Sequence, residues 1–291
     1  MYFMMSNRRD FFRKALAGAA AVTIPAMLPN EVFGKPVVTP NNAGNNSFKI
    51  GYQLWGVQKM LIENPDATMQ LMARRGLDGV EFANMMSPFQ PALPLRLAMN
   101  KHNLVPCGIH HSLTEWQTKG AEFLMEYNYI LGNSDVSCHW LERNQQGSLE
   151  NYLSHSKFFR ELTPYLKKNG FNFYYHNHGY EYTDIFDGKF AMDIMLENTD
   201  PALFFMELHI GGLPASVDTV EYIKKLGARL YKIHFPVLDR DGNVSIKQEI
   251  VDAAKESGTC QWFIIEQNIP DLPIGESLAR SVDILREMLY K

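Results

Sequence analysis

Short apolar runs that end in histidine or glutamate recur along the chain, and they constrain its fold more than any other feature. Seven of the nine histidines lie at or beside the downstream ends of such runs. Longer segments with helical periodicity separate the runs, and this alternation is typical of βαβ units built on a parallel sheet. Eight strands are predicted, at residues 48–54, 77–82, 105–110, 135–140, 171–176, 203–209, 230–234 and 262–266.

The segments between these runs have the spacing of amphipathic helices, and several of them stop at a glycine, which is a common helix terminator. The predicted helices lie at residues 67–75, 95–102, 120–131, 149–169, 190–198, 219–226, 246–257 and 278–290. Eight strands alternating with eight helices predict an α/β protein whose residues 48–291 form a single (β/α)8 TIM barrel. The length of this segment, about 245 residues, is usual for one such barrel.

The first 34 residues are predicted to be a signal peptide of the twin-arginine type. Arg8 and Arg9 precede an apolar, alanine-rich stretch at residues 15–28, which is the order of features in such signals. The stretch is shorter than the roughly 20 residues that a membrane-spanning helix needs, so an uncleaved anchor is the less favoured alternative. Residues 35–47 are rich in Pro, Asn and Gly and are predicted to be a linker. We therefore expect an exported, periplasmic protein without a stable membrane anchor after processing.

The charge balance of the barrel segment argues against a nucleic-acid partner. Without the first 35 residues, 23 basic and 30 acidic residues remain, a formal charge of minus seven. An acidic surface repels a phosphate backbone, whereas a small neutral substrate is compatible with it. The three cysteines, Cys107, Cys138 and Cys260, lie in or beside predicted strands and are interpreted as core residues rather than as a disulfide framework.

Polar side chains from the last four predicted strands should meet at one end of the barrel. Residues two apart on a strand share a face, so Glu207 and Lys232 lie one step deeper than the histidines that follow them. The carboxyl ends of barrel strands are where barrel enzymes place their chemistry. His176, His209, His234 and Glu266 form the predicted metal site, because imidazole nitrogens and a carboxylate suit a first-row divalent ion. A purely hydrogen-bonded polar lining is the alternative. A nitrogen-rich set favours Mn, Co, Fe or Zn over Mg.

The chain resembles the xylose isomerase-like barrels, which include sugar isomerases and epimerases, inosose dehydratases and endonuclease IV. The resemblance covers most of the chain after residue 47, and the motif on the fifth strand is its most specific mark. The motifs are Ile50-Gly51-Tyr52-Gln53-Leu54-Trp55, Gly79-Val80-Glu81-Phe82, Tyr175-His176-Asn177-His178 followed by Glu181, Glu207-Leu208-His209, Lys232-Ile233-His234 and Ile265-Glu266-Gln267.

The resemblance implies how the predicted metal site should work. In metal-dependent epimerases of this family, Glu, Asp, His and Glu hold the ion, and these positions correspond to His176, His209, His234 and Glu266. Two positions depart from that pattern, since His176 and His209 stand where relatives have carboxylates. The implied chemistry is proton transfer beside a carbonyl that the ion polarises. Glu266 is the first candidate for the catalytic base and Glu181 the second, and His209 could act as an acid or base if no ion is bound.

The family resemblance also suggests which residues bind the sugar. The candidates lie at or near predicted strand ends: Glu81, His110, His139, His178, Lys232, Trp55 and Trp140. His111 is a further candidate on the same wall as His110, and Glu207 could pair with Lys232 beneath the metal ligands. No glycine-rich phosphate loop is evident, which favours an unphosphorylated sugar or ketosugar.

Isomerase or epimerase is the leading functional prediction. A lyase or hydratase acting on 3-keto-glycosides is the alternative, because His176 replaces the family's second catalytic carboxylate and one base with a leaving group suffices for elimination. A sugar-binding barrel without activity is another possibility, and a nuclease like endonuclease IV is disfavoured by the acidic charge and the export signal. An oligomer remains possible on the sequence alone.

Overall fold

A closed barrel of eight parallel strands forms the centre of the protein in the computed structural model, which describes residues 48–83, 91–267, 269 and 272–291. Each strand pairs with its neighbours in chain order, and the last pairs with the first. The strands are β1 Lys49–Gln53, β2 Gly79–Phe82, β3 Val105–Ser112, β4 Asp135–Trp140, β5 Asn172–His176, β6 Phe204–His209, β7 Leu230–Phe235 and β8 Trp262–Ile265. The predicted TIM barrel is confirmed. The predicted signal peptide and the linker lie outside the described residues.

Helices cover the outside of the barrel and bury their apolar faces against it. They span Gln58–Glu63, Pro65–Arg74, Ala92–Lys101, Leu113–Lys119, Ala121–Leu131, Leu149–Lys168, Tyr180–Thr183, Ala191–Glu197, Thr219–Leu226, Gln248–Glu256 and Ile274–Leu289. Asp218 shows why one of them begins where it does, since its side chain accepts hydrogen bonds from the backbone N–H groups of Val220 and Glu221. Within the described part of the chain, no helix is long and apolar enough to span a bilayer.

Three helices and a small ribbon were not predicted from the sequence. The helix Leu113–Lys119 begins with a capping box, in which the Ser112 hydroxyl accepts from the backbone of Glu115 and the Glu115 carboxylate accepts from that of Ser112. This Ser-x-x-Glu signal is readable in the sequence. The other additions are Gln58–Glu63, Tyr180–Thr183 and the antiparallel pair Ile185–Phe186 with Lys189–Phe190. Each of these helices and strands spans at most seven residues, which is too short for a periodic pattern to be detected.

The polar interior of the barrel is arranged in two levels. We call Glu81, Asp135, Tyr174, Glu207 and Lys232 the lower layer, and His176, His209, His234 and Glu266 the upper layer. A register shift between Met206 and Glu207 aligns Glu207 with Lys232 and His209 with His234. Gly108 makes room for the lower layer, because a Cβ atom at this position would collide with the Tyr174 hydroxyl and the Glu81 carboxylate. The three cysteines are buried and free, as the sequence suggested.

Candidate functional site

Three lone-pair atoms of the upper layer converge at the carboxyl end of the barrel. His209 ends β6 and His234 lies one residue before the end of β7. Their Nδ1 atoms are 3.1 Å apart, and Glu266 Oε2 lies 3.1 Å from each of them. Two imidazoles and a carboxylate at these separations match neighbouring ligands of one ion bound at about 2.0–2.2 Å. The donors are therefore arranged as a divalent cation requires.

His176 completes this set from the end of β5. One ring nitrogen each of His176, His209 and His234 lies within 4.8 Å of the others. His176 Nδ1 lies 2.9 Å from Oε2 of Glu207 and is hydrogen-bonded to it, which leaves its other nitrogen for a ligand. The structure thus brings together all four residues of the predicted metal site, and their donor chemistry fits a first-row divalent ion.

Asn177 joins the ends of β5 and β6, although the sequence suggested no role for it. Its side-chain Nδ2 donates to the carbonyl of His209, and its Oδ1 accepts from the His209 backbone N–H, both at 3.0 Å. The amide therefore continues the strand pairing by one residue beyond the ladder and fixes the backbone that carries His209. An amide between two site histidines was the available signal, since the Asn side chain offers an N–H donor and a carbonyl acceptor side by side, as a backbone peptide does.

The pKa values in the upper layer reflect mutual charge stabilisation. Burial disfavours ionisation of Glu266, but His234 and His209 outweigh it and hold the pKa of this carboxyl well below its usual value. Burial likewise opposes protonation of His234, yet Glu266 and Glu81 raise its pKa to about 10. Without a metal ion, the upper layer therefore contains an ionised Glu266 and a protonated His234 at neutral pH. A divalent cation would replace a proton of His234.

The lower layer holds its charges out of solvent. Lys232 Nζ donates to the Cys107 carbonyl and lies 3.6 Å from Asp135 and 4.0 Å from Glu81. Glu81 also accepts a hydrogen bond of 2.7 Å from the Tyr174 hydroxyl. The predicted pairing of Lys232 with Glu207 is wrong. Although the two are aligned across β6 and β7, the ammonium group turns toward Asp135 and Glu81.

Three predicted sugar contacts are contradicted by their burial. Glu81, His110 and Lys232 are at most 1% exposed, and all have partners within the barrel. His110 Nε2 lies 3.0 Å from Glu81 and 2.9 Å from Glu207. Burial lowers the pKa of His110, but Glu81 and Glu207 raise it to about 9. These side chains support the residues above them rather than face the mouth.

The two carboxyls beneath the mouth differ in their ionisation. Burial raises the pKa of Glu207 to about 7, and the charge of Glu81 adds to this effect. Burial acts on Glu81 in the same direction, but His110 and His234 outweigh it and hold the pKa of Glu81 well below its usual value. Glu81 is therefore the permanent anion of the pair.

Glu181 is also withdrawn from the mouth, which contradicts its predicted role as a catalytic base. The side chain is completely buried. Its carboxylate accepts from the Tyr175 hydroxyl at 2.7 Å and from the backbone N–H of His178 at 2.8 Å. Burial raises the pKa of Glu181 to about 7. Glu181 therefore stabilises the turn that carries His178 and does not reach a reacting carbon.

One wall of the mouth is aromatic. The His178 ring stacks on Tyr180 with centroids 5.7 Å apart and contacts the edge of Trp140 at 5.1 Å. His139 is half-buried beside it, stacked on His110. Burial and the neighbouring His209 lower the pKa of His178 to about 4, so this ring is neutral at pH 7. His139, His178 and Trp140 thus lie beside one another at the mouth and stay predicted sugar contacts.

Two other predicted residues stand apart from this wall. Trp55 follows β1 and is 60% exposed. His111 is turned away from the mouth, so its predicted position on the wall is wrong. Because successive strand residues face opposite sides, His110 enters the barrel while His111 packs among the helices, where its Nε2 accepts from Asn128 and its ring meets the edge of Trp116.

Known proteins with this barrel are similar in structure but remote in sequence. A sugar phosphate isomerase/epimerase from Parabacteroides distasonis is 17% identical and superposes with a TM-score of 0.69 over 84% of this chain and 100% of that one. D-allulose 3-epimerase from Methylomonas sp., solved with D-allulose, is 16% identical with a TM-score of 0.67, over 83% and 99%. An AP endonuclease of family 2 from Brucella melitensis is 16% identical with a TM-score of 0.61, over 81% and 98%.

These likenesses show that the chain has the xylose isomerase-like TIM-barrel fold. No family model matches the sequence. Phytase A from Aspergillus oryzae is 23% identical over 158 residues, which are 52% of this chain but 34% of the phytase. The chain thus matches about a third of that protein's length, and the match carries no assignment of activity. The chemistry must be argued from the site itself.

Proposed function

We propose that the protein is a metal-dependent sugar isomerase or epimerase that acts on an unphosphorylated sugar or ketosugar. The observation that carries this proposal is the mutual 3.1 Å spacing of His209 Nδ1, His234 Nδ1 and Glu266 Oε2 at the mouth of the barrel. Together with His176 they would hold Mn, Co, Fe or Zn. When bound, such an ion polarises a substrate carbonyl and stabilises negative charge on its oxygen.

The protein's own groups supply the proton transfer. Of the carboxylates assigned to the site, Glu266 alone is partly exposed, at 27% of its side chain, while Glu81, Glu181 and Glu207 are buried. Glu266 is ionised at neutral pH. As the partly exposed carboxylate of the site, it is positioned to accept a proton from the carbon beside the carbonyl, although the charges of His234 and His209 that lower its pKa weaken it as a base. His178, a neutral ring on the aromatic wall, can exchange a proton from another direction. Trp140 and Tyr180 provide apolar faces for a sugar ring.

Among the predicted site residues that the structure describes, the one with a permanent positive charge, Lys232, is buried rather than at the mouth, which supports an unphosphorylated substrate. Lys232, the predicted sugar contact with a positive charge, is buried beneath the upper layer and bound to Asp135 and Glu81. It therefore cannot pair with a phosphate group, whose recognition usually relies on Lys, Arg or a helix N-terminus.

A lyase or hydratase acting on 3-keto-glycosides is a second candidate, favoured by one observation. Among the site carboxylates that the structure describes, a single one is partly exposed instead of two. Elimination needs one base to remove the proton next to the carbonyl and a leaving group to depart with the electron pair. Epimerisation needs proton exchange on both faces of that carbon, and His178 would have to act on the second face.

Solvent exchange tests the two chemistries together. The full-length protein, loaded separately with Mn²⁺, Co²⁺, Zn²⁺ or Mg²⁺, would be incubated in D2O with D-allulose, D-fructose and a 3-keto-glycoside, and products followed by NMR. Deuterium incorporation with an altered stereocentre supports the isomerase or epimerase, while release of the aglycone supports the lyase. If no substrate takes up deuterium from the solvent with any of the four ions loaded, neither chemistry takes place. A protein that still binds sugar is then the non-catalytic barrel.

The nuclease and export predictions need their own tests. Cleavage of abasic DNA by the metal-loaded protein would overturn the sugar assignment, and the acidic barrel makes us expect none. We also propose export to the periplasm, supported by the twin-arginine sequence. The three free cysteines are buried and are therefore compatible with an oxidising compartment. Cell fractionation of the native chain, compared with an Arg8→Lys, Arg9→Lys variant, should show periplasmic protein for the first and retention for the second.

A further inference from the structure

Two buried carboxylates face the upper-layer imidazoles from below. Glu207 Oε2 lies 2.9 Å from Nδ1 of His176 and 2.9 Å from Nε2 of His110. Glu81 Oε2 lies 3.0 Å from Nε2 of His110 and 3.4 Å from Nε2 of His234. The side chains of Glu81, His110, His176, Glu207 and His234 are at most 3% exposed. Water therefore does not compete for the contacts between them.

The carboxylates decide which nitrogen of each ring carries the hydrogen. A nitrogen lone pair that faced a carboxylate oxygen at this distance would be repelled, so the nitrogen directed at it is the N–H donor. In a ring that binds a metal, the other nitrogen must then carry the lone pair. His234 has a carboxylate oxygen near each nitrogen, with Glu81 Oε2 3.4 Å from Nε2 and Glu266 Oε2 3.1 Å from Nδ1. With an ion on Nδ1, the hydrogen lies on Nε2 and faces Glu81.

His176 follows the same rule with its nitrogens exchanged. Its Nδ1–H donates to Glu207, so Nε2 bears the lone pair. His110 ties the two carboxylates together, since its Nε2 is within hydrogen-bonding distance of both. Glu81 is held in turn by the Tyr174 hydroxyl and by the charge of Lys232. The lower layer is thus a rigid frame of acceptors under two of the proposed ligands.

We propose that Glu207 and Glu81 are positioning residues that fix the tautomers of His176 and His234 and direct one lone pair of each ring at the ion. This inference rests on the proposed metal site. Partners of this kind usually contribute 10–100-fold to metal affinity, because they orient the ring and increase its basicity.

Metal affinity of matched variants tests this role. Glu207→Gln removes the charge but keeps the shape and an oxygen acceptor. Asp135→Asn is the control, since Asp135 is also a carboxylate of the lower layer but contacts Lys232, Tyr231 and Asn172 and no imidazole. The dissociation constant for Zn²⁺ and Co²⁺ would be measured on the full chain by competition with a chelator. Thermal unfolding followed by circular dichroism would check that each variant folds.

The expected result is a 10–100-fold weaker affinity in Glu207→Gln and a change below about threefold in Asp135→Asn. Glu81→Gln should resemble Glu207→Gln and serves as the test if that variant does not fold. Equal losses in Glu207→Gln and Asp135→Asn would overturn the positioning role while leaving the metal site intact. Two tightly bound ions per chain would overturn it as well, because Glu207 and His110 would then be ligands. A wild-type protein that binds neither ion would instead refute the proposed function.

Discussion

On β5, β6 and β7 the two polar layers inside the barrel are carried two residues apart on the same strand, yet the layers have opposite character. In the lower layer, Lys232 stands among Glu81 and Asp135 with no exposure for the ammonium group. In the upper layer, Glu266 is partly exposed and its Oε2 and two imidazole nitrogens lie within 3.1 Å of one another. Metal-binding side chains that lie close together at an opening can bind a cation and contact a substrate. Charged side chains that are paired with one another below the opening hold the residues above them in place.

The upper layer should respond to substitution by losing activity more than stability. Glu266→Gln removes the proposed base and one ligand oxygen, so we expect kcat to fall by about 10³-fold, within the usual range for a general base. Removing the carboxylate opposite His234 should also lower the midpoint of urea unfolding, but by less than a change in the fully buried lower layer, because the Glu266 side chain is partly exposed. Deuterium incorporation into the sugar and unfolding of the same preparation would be measured together. A variant that loses stability but keeps its turnover would reverse the distinction between the layers.

The lower layer should show the converse effect. Lys232→Met leaves Asp135 and Glu81 without their buried cation, and breaking such a pair costs about 3 kcal/mol or more in the free energy of unfolding. Lys189→Met is the control, because Lys189 pairs with Glu197 where both side chains are 54% exposed, and its loss should cost less than about 1 kcal/mol. Urea unfolding of both variants measures the difference. Equal costs would mean that Lys232 does not stabilise the layer.

Only part of the difference between the two layers could be predicted from the sequence. Alternation of apolar runs with helical segments predicted the barrel, and strand ends placed His176, His209, His234 and Glu266 together, because parallel strands bring their carboxyl ends to one rim. Periodicity gives the face of a side chain but not the partner it reaches. For that reason the sequence predicts a pairing of Lys232 with Glu207, a sugar contact at Glu81 and a catalytic base at Glu181, none of which the structure supports. Burial and hydrogen bonds beyond the strand ladder depend on three-dimensional packing.

His111 sharpens the comparison, since it adjoins His110 in β3 but faces the helices. Burial lowers its pKa to about 3, with His110 and Lys119 acting in the same direction. A buried histidine with a lowered pKa contributes stability above pH 6.5 and loses it as the pH falls toward 3. Between pH 7.5 and pH 5, His111 alone should lower the free energy of unfolding of the metal-free protein by about 2 kcal/mol.

A variant isolates this histidine from the others, because His139, His176 and His178 also have lowered pKa values and shift stability in the same sense. His111→Gln keeps an oxygen acceptor for Asn128 and removes the titrating ring. Urea unfolding at pH 7.5 and at pH 5 should therefore show a smaller decrease in the variant. The same decrease in both proteins would show that His111 is protonated without cost, and hence that its surroundings are more polar than the structure indicates.

Asn177 tests how tightly the upper layer is set by its backbone. Asn177→Ala removes both hydrogen bonds to the His209 backbone, which should cost about 1–2 kcal/mol of stability and weaken Zn²⁺ binding by roughly tenfold. Asn177→Asp keeps the acceptor but turns a lone pair toward the His209 carbonyl, so it should lose affinity as well. Asn198→Ala is the control, because it removes one hydrogen bond from a side-chain amide to the Ile194 carbonyl, away from the mouth. It should leave the affinity for Zn²⁺ unchanged. If all three variants bind Zn²⁺ like the wild type, the strand ends position His209 without Asn177, and the amide serves only the fold.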